Sequence, residues 1–197
     1  ALGIRKEIFG DGHPHYAQSL NAVASILTEK KEYLKAEKLY EQARIIRKEA
    51  YGEEHSLYAN IVNNLGRIYL ILREYEKAEK YYMEVLLIRK KVLGNSHPGY
   101  ADILQSLGIL YDNMKEYSKA EKYYLEELSV RRRVLGENHP DYASTLNSLG
   151  IFYENMKEYS KAETYYLETL SVRKRILGEN HPHYANVLYN LGILYKN

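Results

Sequence analysis

Apolar residues recur in this chain at intervals of three and four, and the whole pattern recurs every 42 residues. Leu146, Leu149, Phe152, Tyr153 and Met156 form one such stripe, the mark of an amphipathic helix. A second stripe follows the Lys-Glu-Tyr turn at Tyr159 and runs through Ala162, Tyr166 and Val172. That second stripe is written three times before, as Ala36, Tyr40, Ile46, then Ala78, Tyr82, Ile88, then Ala120, Tyr124, Val130. Nothing alternates with period two between turn clusters, so no strand is predicted. Each unit reads as two helices of about 15 and 18 residues, roughly 22 and 27 Å long at ~1.5 Å per residue.

The punctuation between stripes repeats as well. His13, His55, His97, His139 and His181 are 42 residues apart, and three residues after each comes Tyr-Ala. Pro98, Pro140 and Pro182 suit the first helical position, where a missing N–H costs nothing. Gly10, Gly52, Gly94, Gly136 and Gly178 fall where a helix C-terminus wants glycine, each behind a basic cluster that opposes the helix dipole. Gly66, Gly108, Gly150 and Gly192 interrupt the first helix, with Ala24 in their place in the first unit. A glycine inside a helix costs ~1 kcal/mol relative to alanine, so the column predicts close approach of a neighbouring helix.

Taking each His as a start gives residues 1–12 as the end of a preceding repeat, full repeats at 13–54, 55–96, 97–138 and 139–180, and 181–197 as the first helix of a further repeat. Ile4-Arg5-Lys6 then aligns with Ile46-Arg47-Lys48, and the third and fourth repeats agree at 32 of 42 positions. One such helix pair cannot bury its apolar face without neighbours. The predicted fold class is all-α, an α-solenoid of stacked antiparallel helix pairs.

Composition narrows the chemistry. The 197 residues include no cysteine, which excludes disulfides, thiolate metal sites and cysteine nucleophiles. Lys and Arg number 28 against 26 Asp and Glu, a balance that argues against a polybasic nucleic-acid arm. No stretch approaches the ~20 apolar residues of a membrane helix, and the start has no signal-peptide pattern. The expectation is therefore a cytoplasmic protein with no membrane or nucleic-acid partner. Of 22 tyrosines, all but Tyr51 and Tyr189 fall in five repeat columns, so the aromatic excess reads as packing multiplied by repetition.

No Gly-x-Ser-x-Gly elbow, His-Glu-x-x-His pair, phosphate loop or calcium loop is present, so neither an enzyme nor a cofactor is expected. The five periodic histidines come one per repeat, ~10 Å apart by helix packing. They read as junction caps, and no metal site is expected. The clusters Arg47-Lys48, Arg89-Lys90-Lys91, Arg131-Arg132-Arg133 and Arg173-Lys174-Arg175 read as solvated helix ends or a contact for an acidic partner. Glu53-Glu54 and Glu126-Glu127 read as surface acids with no buried partner.

The run Leu-Gly-x-x-Tyr, then Ala twelve residues after the Gly and Tyr four further on, resembles the tetratricopeptide repeat (TPR) signature; the third repeat supplies Leu107, Gly108, Tyr111, Ala120 and Tyr124. The 42-residue period and the Leu-Gly-x-x-His-Pro-x-Tyr-Ala junction resemble its kinesin light chain-like and nephrocystin-like branch. Sensor arrays of bacterial signalling ATPases belong to that branch too. The resemblance implies a right-handed superhelix that acts as a protein–protein interaction scaffold, with the first helix of each repeat lining a concave groove for a peptide. By that resemblance the lining residues are Gln18, Asn21 and Ser25; Asn60, Asn63 and Arg67; Asp102, Gln105 and Asp112; Ser144, Asn147 and Glu154; and Asn186 with Tyr189. Asn21, Asn63, Gln105 and Asn147 share one repeat position and form an amide ladder suited to a peptide backbone.

Two other readings stand beside the scaffold: a regulatory segment of a larger signalling ATPase, and a structural array that self-associates. For the latter, a last helix over 183–196 is expected to leave Leu188, Leu191 and Leu194 uncovered. Residues 1–9 of another copy could then complete a composite repeat head to tail.

Overall fold

The structure is a computed structural model that describes residues 2–196, apart from the side chains of Leu2, Ile4, Arg5 and Lys6. The register of Ile4-Arg5-Lys6 on Ile46-Arg47-Lys48 falls outside those described side chains. Among the described residues there are ten helices and no strand: α1 Leu2–Phe9, α2 Pro14–Glu29, α3 Tyr33–Tyr51, α4 Ser56–Ile71, α5 Tyr75–Leu93, α6 Pro98–Asn113, α7 Tyr117–Leu135, α8 Pro140–Asn155, α9 Tyr159–Leu177 and α10 Pro182–Leu194. The even-numbered helices are the first of each repeat and the odd-numbered ones the second; in the four full repeats they have 16 and 19 residues, each about one more than the pattern suggested.

Contacts gather into two compact units, Ala1–Gly94 and Asn95–Asn197. In the first, α1 packs on α2, α2 on α3, α3 on α4 and α4 on α5. In the second, α6 packs on α7, α7 on α8, α8 on α9 and α9 on α10.

Each first helix begins at its periodic histidine. The imidazole Nδ1 of His13, His55, His97, His139 and His181 accepts the backbone N–H two residues on, at 3.0–3.2 Å. The junction-cap reading of these residues is thereby met, since each satisfies a donor the helix would otherwise leave orphaned. Each second helix ends at a glycine with φ near +80° and ψ near 165°, a backbone region essentially reserved for glycine. The Lys-Glu-Tyr turn between the two helices of a repeat is where expected, but its left-handed backbone was not foreseen. It passes through Lys31, Arg73, Lys115 and Lys157, all with φ of 60–62°, although no glycine stands there.

The glycine column does what its recurrence implied. An alanine Cβ at Gly66, Gly108 or Gly150 would lie 2.5–2.7 Å from the ring of Tyr82, Tyr124 or Tyr166, so the second helix sits against bare backbone. Those tyrosines are buried, as are their neighbours Ala78, Ala120 and Ala162. Hydroxyls of other buried tyrosines reach out of the core to glutamates. Tyr58 donates to Glu84, Tyr100 to Glu126 and Tyr142 to Glu168, at 2.7–2.8 Å within one repeat. Tyr69 donates to Glu37 and Tyr153 to Glu121, at 2.5–2.6 Å across consecutive repeats. Burial and the carboxylate push the Tyr58 and Tyr100 hydroxyls up to about 12. The tyrosine excess is thus a packing and clamping device.

Two expectations about the last helix need correction. Leu191 and Leu194 are buried, with α10 packed on α9, and of the three only Leu188 stands open at 48% exposure. The helix also runs over Pro182–Leu194 instead of 183–196.

Candidate functional site

Along each first helix, successive turns present one polar column to solvent. In the first unit, Gln18, Asn60 and Arg67 are exposed and Asn21 and Asn63 half-buried. In the second, Asp102, Ser144 and Asn186 are exposed, Gln105, Asp112, Asn147 and Glu154 half-buried, and Tyr189 is 70% exposed. Ser25 is half-buried on α2, so all fourteen residues lie on first helices, with some surface available to each.

Part of the amide ladder is already engaged. Asn64 Nδ2 donates to Asn21 Oδ1 at 2.9 Å, and Asn190 Nδ2 donates to Asn147 Oδ1 at 3.4 Å, so both amides tie consecutive repeats together. Asn63 Oδ1, by contrast, is buried with no hydrogen-bond partner. In the fourth repeat Tyr166 donates to Glu154 at 2.6 Å, and burial first, then that bond, hold the tyrosine's pKa well above its ordinary value. Burial alone raises Asp112, one repeat earlier. In the first unit a cavity of about 180 Å³ brings Gln18, Asn21 and Asn60 together with Arg47, Leu57 and Ile61.

The basic clusters are not uniformly solvated. Their leading arginines, Arg47, Arg131 and Arg173, are only 6–8% exposed. Arg131 Nη1 donates to the carbonyl of Asp141 at 3.1 Å, and Arg173 Nη1 to that of His183 at 2.7 Å, pinning each second helix to the following first helix. The next residues, Lys48, Arg132 and Lys174, pair at the surface with Glu53, Glu137 and Glu179.

Glu127 is the other correction. It is fully buried, not a surface acid, with Thr145 Oγ1 donating to its Oε1 at 2.8 Å and Arg131 Nε 3.2 Å away. Its Oε2 has no partner, and burial pushes its carboxyl up to about 7 against the pull of Arg131 and Thr145. The signal was in the column: Ala43 and Val85 in α3 and α5 and Thr169 in α9 occupy the same repeat position and are buried too.

Sequence reasoning also passed over Ile109, Ile151 and Ile193. They stand at the repeat position of Ser25 and Arg67 on the first-helix face and remain 37–42% exposed. Reading that column at its fixed 42-residue interval finds them. Among the described residues, no group of three or more His, Asp or Glu side chains could hold a metal ion, and no helix is long and apolar enough to cross a membrane.

The tetratricopeptide repeat profile matches residues 17–86, 57–133, 113–174 and 141–196, which together take in nearly the whole chain. The chain belongs to the tetratricopeptide repeat family. No curated protein sequence matches it. Among solved structures, BtubC (BKLC) from P. vanneervenii shares 24% identity at a TM-score of 0.81, covering 93% of this chain and 73% of that one. A putative kinesin light chain with nearly identical TPR-like repeats, from Podosopora anserina, shares 19% at 0.81 and covers 93% and 87%. The apo form of RapI shares 18% at 0.77, and the matched region is 53% of its length. At such identities the likeness shows the fold alone, a TPR solenoid. TPR folds generally mediate protein–protein interaction and typically serve as non-catalytic scaffolds.

Proposed function

We propose that the first-helix faces of this TPR chain hold protein segments, and that the face of the second unit selects a segment with aliphatic side chains beside lysine or arginine. The observation that carries this reading is the isoleucine column. Ile109, Ile151 and Ile193 stay 37–42% exposed while Leu107 and Leu149, two residues before the first two, are fully buried. Exposed aliphatic side chains in a row offer anchor surface at about 25 cal/mol per Å² covered. Their own helices carry charge of one sign: α6, α8 and α10 hold Asp102, which pairs with Arg131 of α7, and Asp112, Asp141 and Glu154, with no lysine or arginine. The half-buried amide of Gln105 supplies a donor and an acceptor for a peptide backbone, and Asn147, whose Oδ1 accepts from Asn190, adds its NH₂ donors.

The test is selection of random displayed peptides on the purified chain, followed by titration of the winners against the double variant Ile109→Asp, Ile151→Asp. The expected result is enrichment of aliphatic residues next to Lys or Arg, a loss of affinity of at least about tenfold in the variant, and unchanged helicity. Peptides that bind the variant as well as the parent remove the reading.

A second reading, association of copies through α10, is favoured by Leu188, which is 48% exposed where its counterpart Leu146 is fully buried. Sedimentation of the parent chain and of Leu188→Glu across concentration tests it, and identical monomeric behaviour of the two refutes it.

A further inference from the structure

Arg131, on α7 in the second unit, joins a buried acid to an exposed one. Its Nε lies 3.2 Å from Glu127, which is fully buried. Its Nη2 donates at 3.3 Å to Asp102 Oδ1 on α6, a side chain that is 60% exposed. The third arm, Nη1, is held by the carbonyl of Asp141 at the start of α8. A guanidinium does not lose its proton in proteins, so the charge of this triad depends on its two carboxyls.

The arrangement belongs to one repeat. All four full repeats have the arginine, as Arg47, Arg89, Arg131 and Arg173. Ala43, Val85 and Thr169 stand in the column of Glu127, and Gln18, Asn60 and Ser144 in that of Asp102. Both acids enter together, around the same guanidinium.

Glu127 is built to hold or release a proton. Thr145 donates to its Oε1 at 2.8 Å, the oxygen that also faces Arg131, whereas Oε2 is buried with no partner. Ionisation leaves Oε2 without a donor, so the proton of the neutral acid belongs there. Burial pushes the carboxyl up, Arg131 and Thr145 pull it back, and the charges of Asp102 and Asp141 push it up again, to about 7. Also at this cluster are Tyr124, whose hydroxyl burial keeps protonated, and His139, 3.7 Å from Asp141.

With Glu127 neutral, Arg131 and Asp102 cancel. With Glu127 ionised the triad carries one net negative charge, and Asp102 is its one exposed member. Asp102 shares a face of α6 with Gln105 and Ile109, three and seven residues on.

We propose that Glu127 sets the charge of the second unit's first-helix face: its ionisation draws Arg131 from Asp102 and opens Asp102 to a lysine or arginine of a bound segment. Glu127 acts through Arg131 as a positioning residue, and its role rests on the reading of this face as a surface for cationic segments. A ligand cation paired with Asp102 stands roughly 10 Å from Glu127, where one added charge changes affinity about two- to tenfold at effective dielectric constants of ~20–80 with salt screening. Binding strengthens as pH rises through the Glu127 midpoint. Linkage is reciprocal, so the same cation must lower that midpoint by about 0.3–1 pH unit.

Two measurements on the full chain test this. The first needs no ligand. Cationic aminomethyl-PROXYL and anionic carboxy-PROXYL are added in turn at about pH 6 and about pH 8, either side of the midpoint. The ratio of the paramagnetic relaxation they cause at α6 amide protons near Asp102 reports the local potential. The cation's share should rise with pH more in the parent than in Glu127→Gln; histidine titration is common to both chains and cancels. Asp102→Asn, at an exposed position, stays informative even if Glu127→Gln fails to fold. Removing that charge should move the Glu127 midpoint, read from its ¹³Cδ resonance, downward.

The second follows binding of acetyl-Ile-Arg-Ile-amide and of its neutral citrulline counterpart. The arginine peptide should bind the parent at least about twofold more tightly at about pH 8 than at about pH 6. The citrulline peptide should show no such gain, and Glu127→Gln should abolish it. An equal change of potential in parent and Glu127→Gln, or an arginine-peptide affinity indifferent to Glu127, overturns the proposal. A Glu127-dependent potential with neither these nor any displayed peptides bound keeps the charge switch and removes the reading of the face as a binding surface.

Discussion

Replacing Gly150 by alanine adds one methyl group whose position the α8 backbone dictates. That methyl would sit 2.5 Å from Cδ1 and Cε1 of Tyr166, where carbon atoms normally rest at about 3.5–4.0 Å. The ring must retreat by roughly 1 Å, and it is fully buried with its hydroxyl held by Glu154. Overpacking of this kind costs about 1–3 kcal/mol, and a hydrogen bond to a charged group is worth about 1.5–3 kcal/mol if the retreat breaks it. Alanine returns about 1 kcal/mol of helix propensity. The net expectation is a loss of about 1–3 kcal/mol.

The chain contains its own comparison for that substitution. In the first repeat Ala24 already occupies the column, and the hydroxyl of Tyr40 is buried with no partner. Thr28, at the position of Glu154, bonds back to the carbonyl of Ala24 instead. Gly192 supplies the control, since an added Cβ there meets nothing within 4 Å. Gly192→Ala should raise stability by up to about 1 kcal/mol, the same chemical change with the opposite sign. Thermal unfolding followed by circular dichroism should show Gly150→Ala melting roughly 3–10 °C lower and Gly192→Ala slightly higher. Hydrogen exchange should localise the first loss of protection to α8 and α9, because repeat arrays need not unfold in one step. Gly150→Ala melting at or above the parent would refute the close-packing argument.

Two further outcomes follow from buried or strained groups. Glu127 keeps its proton up to about pH 7 in the folded chain, whereas an unfolded glutamate releases it near pH 4.3. Its contribution is therefore fully present below about pH 4.3 and lost as pH rises to about 7, on the order of 3 kcal/mol. Urea midpoints of the parent and Glu127→Gln measured from pH 4 to 8 should diverge in favour of the variant as pH rises; a constant difference would show that burial does not hold the proton. Lys157 sits at φ 61° on an exposed turn, so Lys157→Gly should relieve left-handed strain and stabilise by about 0.5–1 kcal/mol, read as a higher urea midpoint.

Features decided within one helix turn were legible from sequence. The histidine caps and the terminal glycines recur in fixed columns with a local physical reason, and the glycine column announced the close approach of a neighbouring helix without naming the tyrosine that makes it. Glu127 was misread because its charge was weighed without its column, in which Ala43, Val85 and Thr169 announce burial. Arg47 was grouped with Lys48 as a basic cluster, although one turns inward and the other meets Glu53 at the surface. Adjacent residues on a helix face about 100° apart, so a run of like charges is not one surface. The left-handed lysines were illegible because that turn is set by how the two helices of a repeat pack, and not by a residue that prefers it.

The tyrosine–glutamate clamps have a consequence in time as well as in stability. Partners lie 26 residues apart within a repeat and 32 across repeats, and the amide bonds between Asn21 and Asn64 and between Asn147 and Asn190 reach only 43. During synthesis at ~5–20 residues per second, no such side chain waits longer than roughly 2–9 s for its partner to be made. Wiring this short keeps loop closure inexpensive and the folding topology fast. A nascent chain can therefore finish each repeat while the next is still being translated.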